Sequence, residues 1–315
     1  MHGPLAYTIR RIVFTIPTLF AMSLFVFAIV HLAPGDPAAT ALGLNYTPAA
    51  GNALRHQMGL DQPIVNQYLS WIGNMFRGNF GQDLVSHEPL TSLLSNRLPV
   101  TVELTILSLG LSILAGVPLG IRAAQRPRSL ADRALAGITL WGFSVPDFVF
   151  ATLLILVFSV AFSLLPPQDF IPFTQSPLQN LQHLIMPVLA LAVPETAYIG
   201  QTTRASMAET LNQDYITFLR AKGIPEAVIA YRHGLRNAAI PVISVIGLQF
   251  GALLGGAIVI ENVFSLPGIG TMVVNAVSNR DYPVVQGGVL TIALMFILVN
   301  LATDLLYGVL NPRLR

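Results

Sequence analysis

The 315 residues are 53% hydrophobic and only 10% charged, with a mean hydropathy of +0.65. Soluble domains carry about 25% charged residues, so fifteen acids and seventeen bases cannot cover this chain in water, which excludes a cytosolic enzyme and a disordered chain alike. With no cysteine there is no disulfide framework, thiolate metal site or cysteine catalysis, and a scattered net charge of +2 leaves no footprint for nucleic acid. Sixteen of the seventeen bases are arginine and Lys222 is the only lysine, which reads as codon bias. The chain reads as an all-α integral membrane protein.

Crossing about 30 Å of hydrocarbon takes about 20 mostly apolar helical residues. Runs free of Asp, Glu, Lys and Arg occur at 12–35, 104–121, 148–168, 237–260 and 282–303. The run 170–194 also qualifies, but Pro172, Pro177, Gln179, Asn180 and Gln182 make its first half read as loop. Six helices are expected, at 9–32, 99–122, 136–163, 183–208, 237–262 and 283–308. The first is read as a retained span because Pro34-Gly35-Asp36-Pro37, not a small-residue cleavage site, follows it.

Basic residues set orientation. With the N-terminus inside, thirteen bases face the cytoplasm (Arg10, Arg11, Arg122, Arg126, Arg128, Arg133, Arg204, Arg220, Lys222, Arg232, Arg236, Arg313, Arg315) and four face outward (Arg55, Arg77, Arg97, Arg280). Both termini are therefore expected in the cytoplasm. The chain divides into 1–33, carrying the first span; 34–96, a structured extracytoplasmic segment; 97–310, a five-helix core; and a cytoplasmic tail, 311–315. In the outer segment Thr47-Pro48 is an N-cap with proline in the first turn, Gly59 a helix stop, and Pro63 the start of a second helix. Its apolar stripe of Ile64, Tyr68, Ile72 and Met75, with Trp71 beside it, suits a helix lying on the membrane surface or on the bundle.

The long inner connection, 209–236, is the most informative. Asp214 can cap a short helix that Gly223 ends, and Pro225-Glu226 begins another, so an elbow of two short basic helices is expected. Such an elbow suits a grip by another protein; the plainer reading is a solvated connector. At this elbow the chain resembles the ABC-importer permeases, whose loop reads E-A-A-x3-G-x9-I-x-L-P. Gly223 and the nine residues before His233-Gly234-Leu235-Arg236 keep that spacing, while Thr217-Phe218-Leu219 replaces E-A-A and Arg236 replaces the proline. The peptide-permease version, D-Y-x4-R-A-K-G then H-x-L-R-N-A, is matched by Asp214, Tyr215, Arg220, Ala221, Lys222, Gly223 and His233 through Ala238. Pro34 through Pro37, Gly59-Leu-Asp-Gln-Pro63, Pro118-Leu-Gly120, Pro267-Gly268-Ile-Gly270, Asp281-Tyr-Pro283 and Asn311-Pro-Arg313 extend the likeness over nearly the whole chain. It resembles most the first permease subunit of dipeptide-type importers.

The resemblance implies a type I ABC importer permease fold in a bacterial inner membrane. It also implies a homologous second permease, two ATP-binding subunits and an extracytoplasmic peptide-binding protein as partners. ATP and magnesium would sit on the ATPase subunits; this chain lacks a Gly-Lys pair, hence any G-x-x-x-x-G-K-[ST] phosphate loop, and carries no catalytic or metal site of its own. The cargo would be dipeptides or short peptides, with glutathione or nickel chelates as alternatives.

Carboxylates in hydrocarbon are costly and are functional candidates by default. Glu103 and Glu261 fall near outer helix ends, where interfacial solvation is the plainer reading, and Asp304 falls near Arg313 and Arg315, where an ion pair competes with a transport role. Asp147 and Glu195 each follow a proline, replace the apolar or small residues usual in the resembling proteins, and are expected to line a polar cavity suited to a peptide ammonium. Glu261 and Asp304 complete the set of candidate pathway residues. Gly247, Gly251, Gly255 and Gly256 recur at nearly four-residue spacing and read as a packing seam toward the partner permease. A stand-alone secondary transporter would show internal repeats, which are absent, and no H-E-x-x-H or G-x-S-x-G supports an intramembrane hydrolase.

Overall fold

The computed structural model describes residues 4–32 and 36–310, without the side chains of 4–12, 40, 41 and 306–310. Pro34, Gly35, Arg313 and Arg315 lie outside the described residues, as do the side chains of Arg10 and Arg11. Thirteen α-helices follow in order: α1 Pro4–Leu32, α2 Pro37–Leu42, α3 Pro48–Gln57, α4 Ile64–Phe76, α5 Leu90–Gln125, α6 Leu130–Ser144, α7 Asp147–Leu154, α8 Pro177–Leu211, α9 Asp214–Ala221, α10 Glu226–Val228, α11 Leu235–Val263, α12 Ile269–Ser278 and α13 Tyr282–Leu310. No strand occurs among the described residues. Among the described residues, five helical stretches are long and apolar enough to cross a membrane: Val13–Leu32, Leu90–Gln125, Pro177–Leu211, Glu226–Val263 and Tyr282–Leu305.

The straight helix expected over 136–163 is not formed. In its place α6 and α7, with the π-helical extension Ile155–Ala161, make a pair bent by 108°, the shape of a broken span or a re-entrant loop. Val145 and Pro146 are extended at the break, so Pro146 opens α7 instead of kinking a continuous helix. The 170–182 stretch also departs from expectation: α8 starts at Pro177, because proline in the first helical turn lacks only an N–H that would go unpaired anyway. Pro187 and Pro194 then lie inside α8. Near Pro194 the Ser112 and Thr196 hydroxyls donate to the Ala192 carbonyl at 3.0 and 2.7 Å.

The chain forms two compact units. The first comprises residues 1–12, 101–266 and 296–315; the second comprises 13–100 and 267–295. In the first, α8 is the central helix, flanked by α6, α7 and α11. Gly116 and Gly120 of α5 let that helix close on α8: a Cβ at Gly120 would stand 2.6 Å from the Gly200 carbonyl oxygen. Gly247 and Gly251 of α11 seat the chain's own α13, a correction at those two positions to the expected seam with a second permease; Gly256 instead faces Leu191 and Asp147, and a Cβ at Gly255 would meet nothing within 4 Å. Side chains at Gly247 and Gly251 would run into Thr303 and Phe296.

In the second unit the segment 34–96 is grouped with most of α1 and with α12, a helix the sequence reading passed over. Asp36 caps α2, accepting from the Ala38 amide at 3.1 Å, and pairs with Arg55 of α3. Thr47 caps α3 and Gly59, at φ +70°, follows its end. Tyr68 of α4 is buried against α1, its hydroxyl 2.8 Å from Ser23 Oγ, whereas Ile64, Val65, Leu69 and Phe76 stay exposed. Asp281 accepts from the Leu84 and Val284 amides at 2.7 and 3.1 Å, tying residues before α5 to the start of α13.

The Arg55 guanidinium holds the Asp36 carboxyl below the ordinary carboxylate range. Its contribution is therefore complete at neutral pH and is lost as pH falls through that depressed value. Asp36→Ala removes both cap and pair; an N-cap loss costs about 1 kcal/mol, so amide exchange over residues 37–57 should quicken about fivefold in hydrogen-exchange mass spectrometry. Unchanged exchange would show that the cap does not hold this segment.

Candidate functional site

The inner connection is built around a buried apolar cluster. Ile216 of α9 and Ile229 and Ala230 beyond α10 pack with Ile121, Met207, Leu211 and Ala238 from the ends of α5, α8 and α11. Ile216 is buried while Phe218, Lys222, Gly223, Val228 and Tyr231 face outward. Gly223 has φ +77°, a left-handed turn open to glycine without strain, and a Cβ there would meet nothing within 4 Å.

Two details differ from the expected elbow. Gln213, not Asp214, occupies the N-cap, and Asp214 is the first helical residue, where its charge complements the helix dipole. The second short helix is no separate piece: α10 passes through a π-helical turn, Ile229–Gly234, into α11, so Glu226–Val263 is one 38-residue helical stretch. The elbow is thus one short helix, α9, turned at Gly223 onto the extended foot of a membrane span.

Side chains tie the hinge to that foot. Arg220 donates to Glu226 Oε1 at 2.7 Å, across Gly223, and Asn237 of α11 donates to the Tyr215 hydroxyl at 2.7 Å. Lys222 lies 4.4 Å from the centre of the Phe218 ring. Of the sequence-selected residues, Tyr215 and Arg220 are in this network and Ala221, Lys222 and Gly223 form the exposed turn. Asp214 is exposed beside it; His233 and Arg236 lie on the foot and make no hydrogen bond or ion pair among the described residues. Glu226 and Asn237 were passed over as site residues, although a carboxylate three residues after the glycine stop is a visible partner for Arg220.

The intramembrane carboxylates separate into distinct surroundings. Glu195, only 6% exposed, accepts from Gln249 of α11 at 2.9 Å. Asp147 is half-buried at the start of α7. Gly256 of α11 faces it: a Cβ there would lie 3.4 Å from Asp147 Oδ2. Thus α11 meets a carboxylate from each neighbour, Glu195 of α8 through Gln249 and Asp147 of α7 beside Gly256. Gln249 escaped the sequence reading, which weighed only ionisable groups; a lone glutamine in an apolar span was the available signal.

Glu261 is not at a solvated interface. It is completely buried and accepts from the Thr101 hydroxyl at 2.6 Å, a bond between α11 and α5. Glu103 accepts from Asn180 at 3.3 Å, and Asn180 also donates to the Ile171 carbonyl at 2.9 Å, so this carboxylate braces the α7–α8 connection. Asp304 is half-buried in α13, and its expected partners Arg313 and Arg315 lie outside the described residues.

Residues 116–315 match the family described as binding-protein-dependent transport system inner membrane component, and residues 4–105 match its N-terminal companion. The chain is 39% identical over 309 residues to a probable peptide ABC transporter permease of Sinorhizobium fredii (strain NBRC 101917 / NGR234), covering 98% of this chain and 99% of that one. It is 42% identical over 311 residues to the glutathione transport system permease GsiC of Escherichia coli (strain K12), covering 99% of each. Its fold is similar to a chain of the MetNI methionine ABC transporter in inward-facing conformations, with a TM-score of 0.57 and 17% identity over 71% of this chain and 99% of the other. An amino acid ABC transporter structure aligns with a TM-score of 0.50 at 19% identity, over 71% of this chain and 94% of the other.

Proposed function

Because this chain belongs to the binding-protein-dependent transport system inner membrane component family and is an ABC-importer permease subunit, we propose that it carries short peptides inward, driven by ATP hydrolysis on partner subunits. Peptides are the cargo class favoured by the peptide and glutathione permeases it resembles along its full length; glutathione, itself a peptide, falls within the same class. The observation that carries the reading is the hinged elbow: an exposed, partly apolar, basic face attached by Arg220–Glu226 and Tyr215–Asn237 to the foot of α11. A push on such a face moves a membrane span.

In this reading the chain pairs with a second permease, two ATPase subunits grip the elbows, and a binding protein delivers cargo to the 34–96 segment. The test is uptake of radiolabelled dipeptide by vesicles holding all these subunits. Uptake that needs ATP and the binding protein supports the assignment; gradient-driven uptake by this chain alone overturns it in favour of a secondary transporter.

Orientation follows from the thirteen-to-four bias. A cysteine at Asn52 should react with an impermeant maleimide added outside intact cells, and one at Ser129 should react only after lysis. Reversed labelling would sink this topology.

The Asp147–Glu195 pair would form an acidic station for the peptide's ammonium group as the path opens. Two carboxylates held close repel one another, and an incoming cation relieves that repulsion. Removing both charges with Asp147→Asn and Glu195→Gln should lower uptake of a free dipeptide about tenfold, the worth of about 1.4 kcal/mol, while an N-acetylated dipeptide is affected far less. Equal loss for both cargoes would assign the pair to packing.

A further inference from the structure

At the cytoplasmic end of α6 and α8, as oriented above, lies an open cavity of about 540 Å³ lined by Arg128, Asp132, Arg133, Ala136, Gln201 and Arg204. It is apart from both the elbow network and the acidic pair. Three guanidiniums face one carboxylate, leaving two positive charges in excess. Asp132 is fully engaged: it accepts from Arg204 Nε and from the Arg128 amide, each at 2.8 Å. Its amide is in turn held by Ser129 Oγ at 3.3 Å, the N-cap of α6. Arg128 has φ +65°, a left-handed backbone that a side chain adopts only when its surroundings hold it there. Arg133 Nε reaches back to the Arg128 carbonyl at 3.2 Å. These bonds fix the turn, and among the described residues the Arg128 guanidinium and the terminal nitrogens of Arg133 have no hydrogen-bond partner. Gln201 is held by Thr139 at 2.9 Å.

We infer that this cavity binds a phosphate group, and that the headgroup of an anionic phospholipid supplies it. Guanidinium forks match phosphate oxygens in geometry as well as charge, and basic pockets between spans on the cytoplasmic side suit acidic headgroups. The helix beyond the cavity gives the reason for a lipid source. On α6, Arg133, Ala136, Leu140 and Phe143 fall on one stripe at helical spacing, and all four are exposed, Leu140 by 73%. The stripe is basic at the cavity and apolar beyond it. A headgroup in the cavity therefore leaves its acyl chains lying along Leu140 and Phe143.

The test is thermal unfolding of the full chain, purified in an uncharged detergent with the subunits that accompany it, titrated with short-chain phosphatidylglycerol, short-chain phosphatidylcholine or inorganic phosphate. Phosphatidylglycerol should raise the unfolding temperature saturably by several degrees and phosphatidylcholine should not. Arg128→Gln with Arg133→Gln should abolish the shift, whereas Arg126→Gln, a neighbouring exposed arginine outside the cavity, should keep it. An equal shift with phosphatidylcholine, or equal loss with Arg126→Gln, overturns the site. A saturable shift with inorganic phosphate alone, lost in the double variant, upholds the phosphate site and overturns the lipid source. If the double variant releases accompanying subunits while the lipid shift persists, the cavity is a protein contact and the inference fails. Nothing in this measurement requires transport, so it can fail while ATP-driven uptake stands, and the reverse.

Discussion

Gly223→Asp is expected to leave the chain folded in the membrane at near wild-type amount and to lower ATP-driven uptake at least tenfold. A Cβ at this position meets nothing within 4 Å, so no packing inside the chain is disturbed. The backbone, at φ +77°, is left-handed, and a side chain there costs about 1 kcal/mol, with aspartate among the better tolerated. The damage is therefore confined to whatever surface the turn meets. A carboxylate facing a closely apposed partner costs several kcal/mol when it lacks a counter-charge, and each 1.4 kcal/mol is about tenfold in occupancy. Uptake and copurification of the ATPase subunits should fall together. Wild-type levels of both would show that glycine serves only to loosen a surface turn.

The largest structural effect is expected at Gly120. A Cβ there would lie 2.6 Å from the Gly200 carbonyl oxygen, 2.7 Å from Thr203 Cβ and 3.0 Å from the Arg204 amide nitrogen. Nonbonded carbon atoms settle at about 3.5–4.0 Å, and two of these neighbours are backbone, which cannot rotate aside. Gly120→Leu forces α5 away from α8, the central helix of its unit. Overpacking typically costs about 1–3 kcal/mol and more where the backbone must move, which is a large part of total stability. Folded protein recovered by size-exclusion chromatography should drop severalfold or vanish. Gly110→Leu, on the same helix, is the control: its Cβ meets nothing within 4 Å, and recovery should stay near wild type. If both variants behave alike, the α5–α8 approach is not what Gly120 provides.

These two glycines separate what was legible in the residues from what was not. Gly223 could be read as a stop because Pro225 follows it, and a turn's backbone demand is met within a few neighbouring residues. Gly120 could be noted only as part of Pro118-Leu-Gly120; its need for a bare Cα depends on α8, some eighty positions away. The glycines of α11 were visible as a small-residue stripe, yet the stripe does not say which helix it receives. Thr303 and Phe296 of the chain's own α13 fill the places at Gly247 and Gly251, whereas Gly256 faces Leu191 and Asp147 and Gly255 is open.

By itself the sequence determined that the chain is helical and membrane-spanning, that Thr47-Pro48 opens a capped helix, and that Gly223 stops one. Each follows from hydropathy, charge or steric limits acting over one or two helical turns. Only the tertiary structure decided the carboxylates. Pro146 and Pro194 both precede an acid, yet the chain breaks by 108° at the first and runs on as helix through the second. Local sterics are alike at both; the surroundings differ. At Pro194, Gly142 lets α6 close against the proline itself, and Ser112 of α5 bonds the adjoining Ala192 carbonyl, so α8 is packed on both sides there. Glu195 then finds Gln249, and Glu261 finds Thr101, across 54 and 160 positions of chain. A buried charge is satisfied by whichever helix packs beside it, and that neighbour is chosen by the fold as a whole.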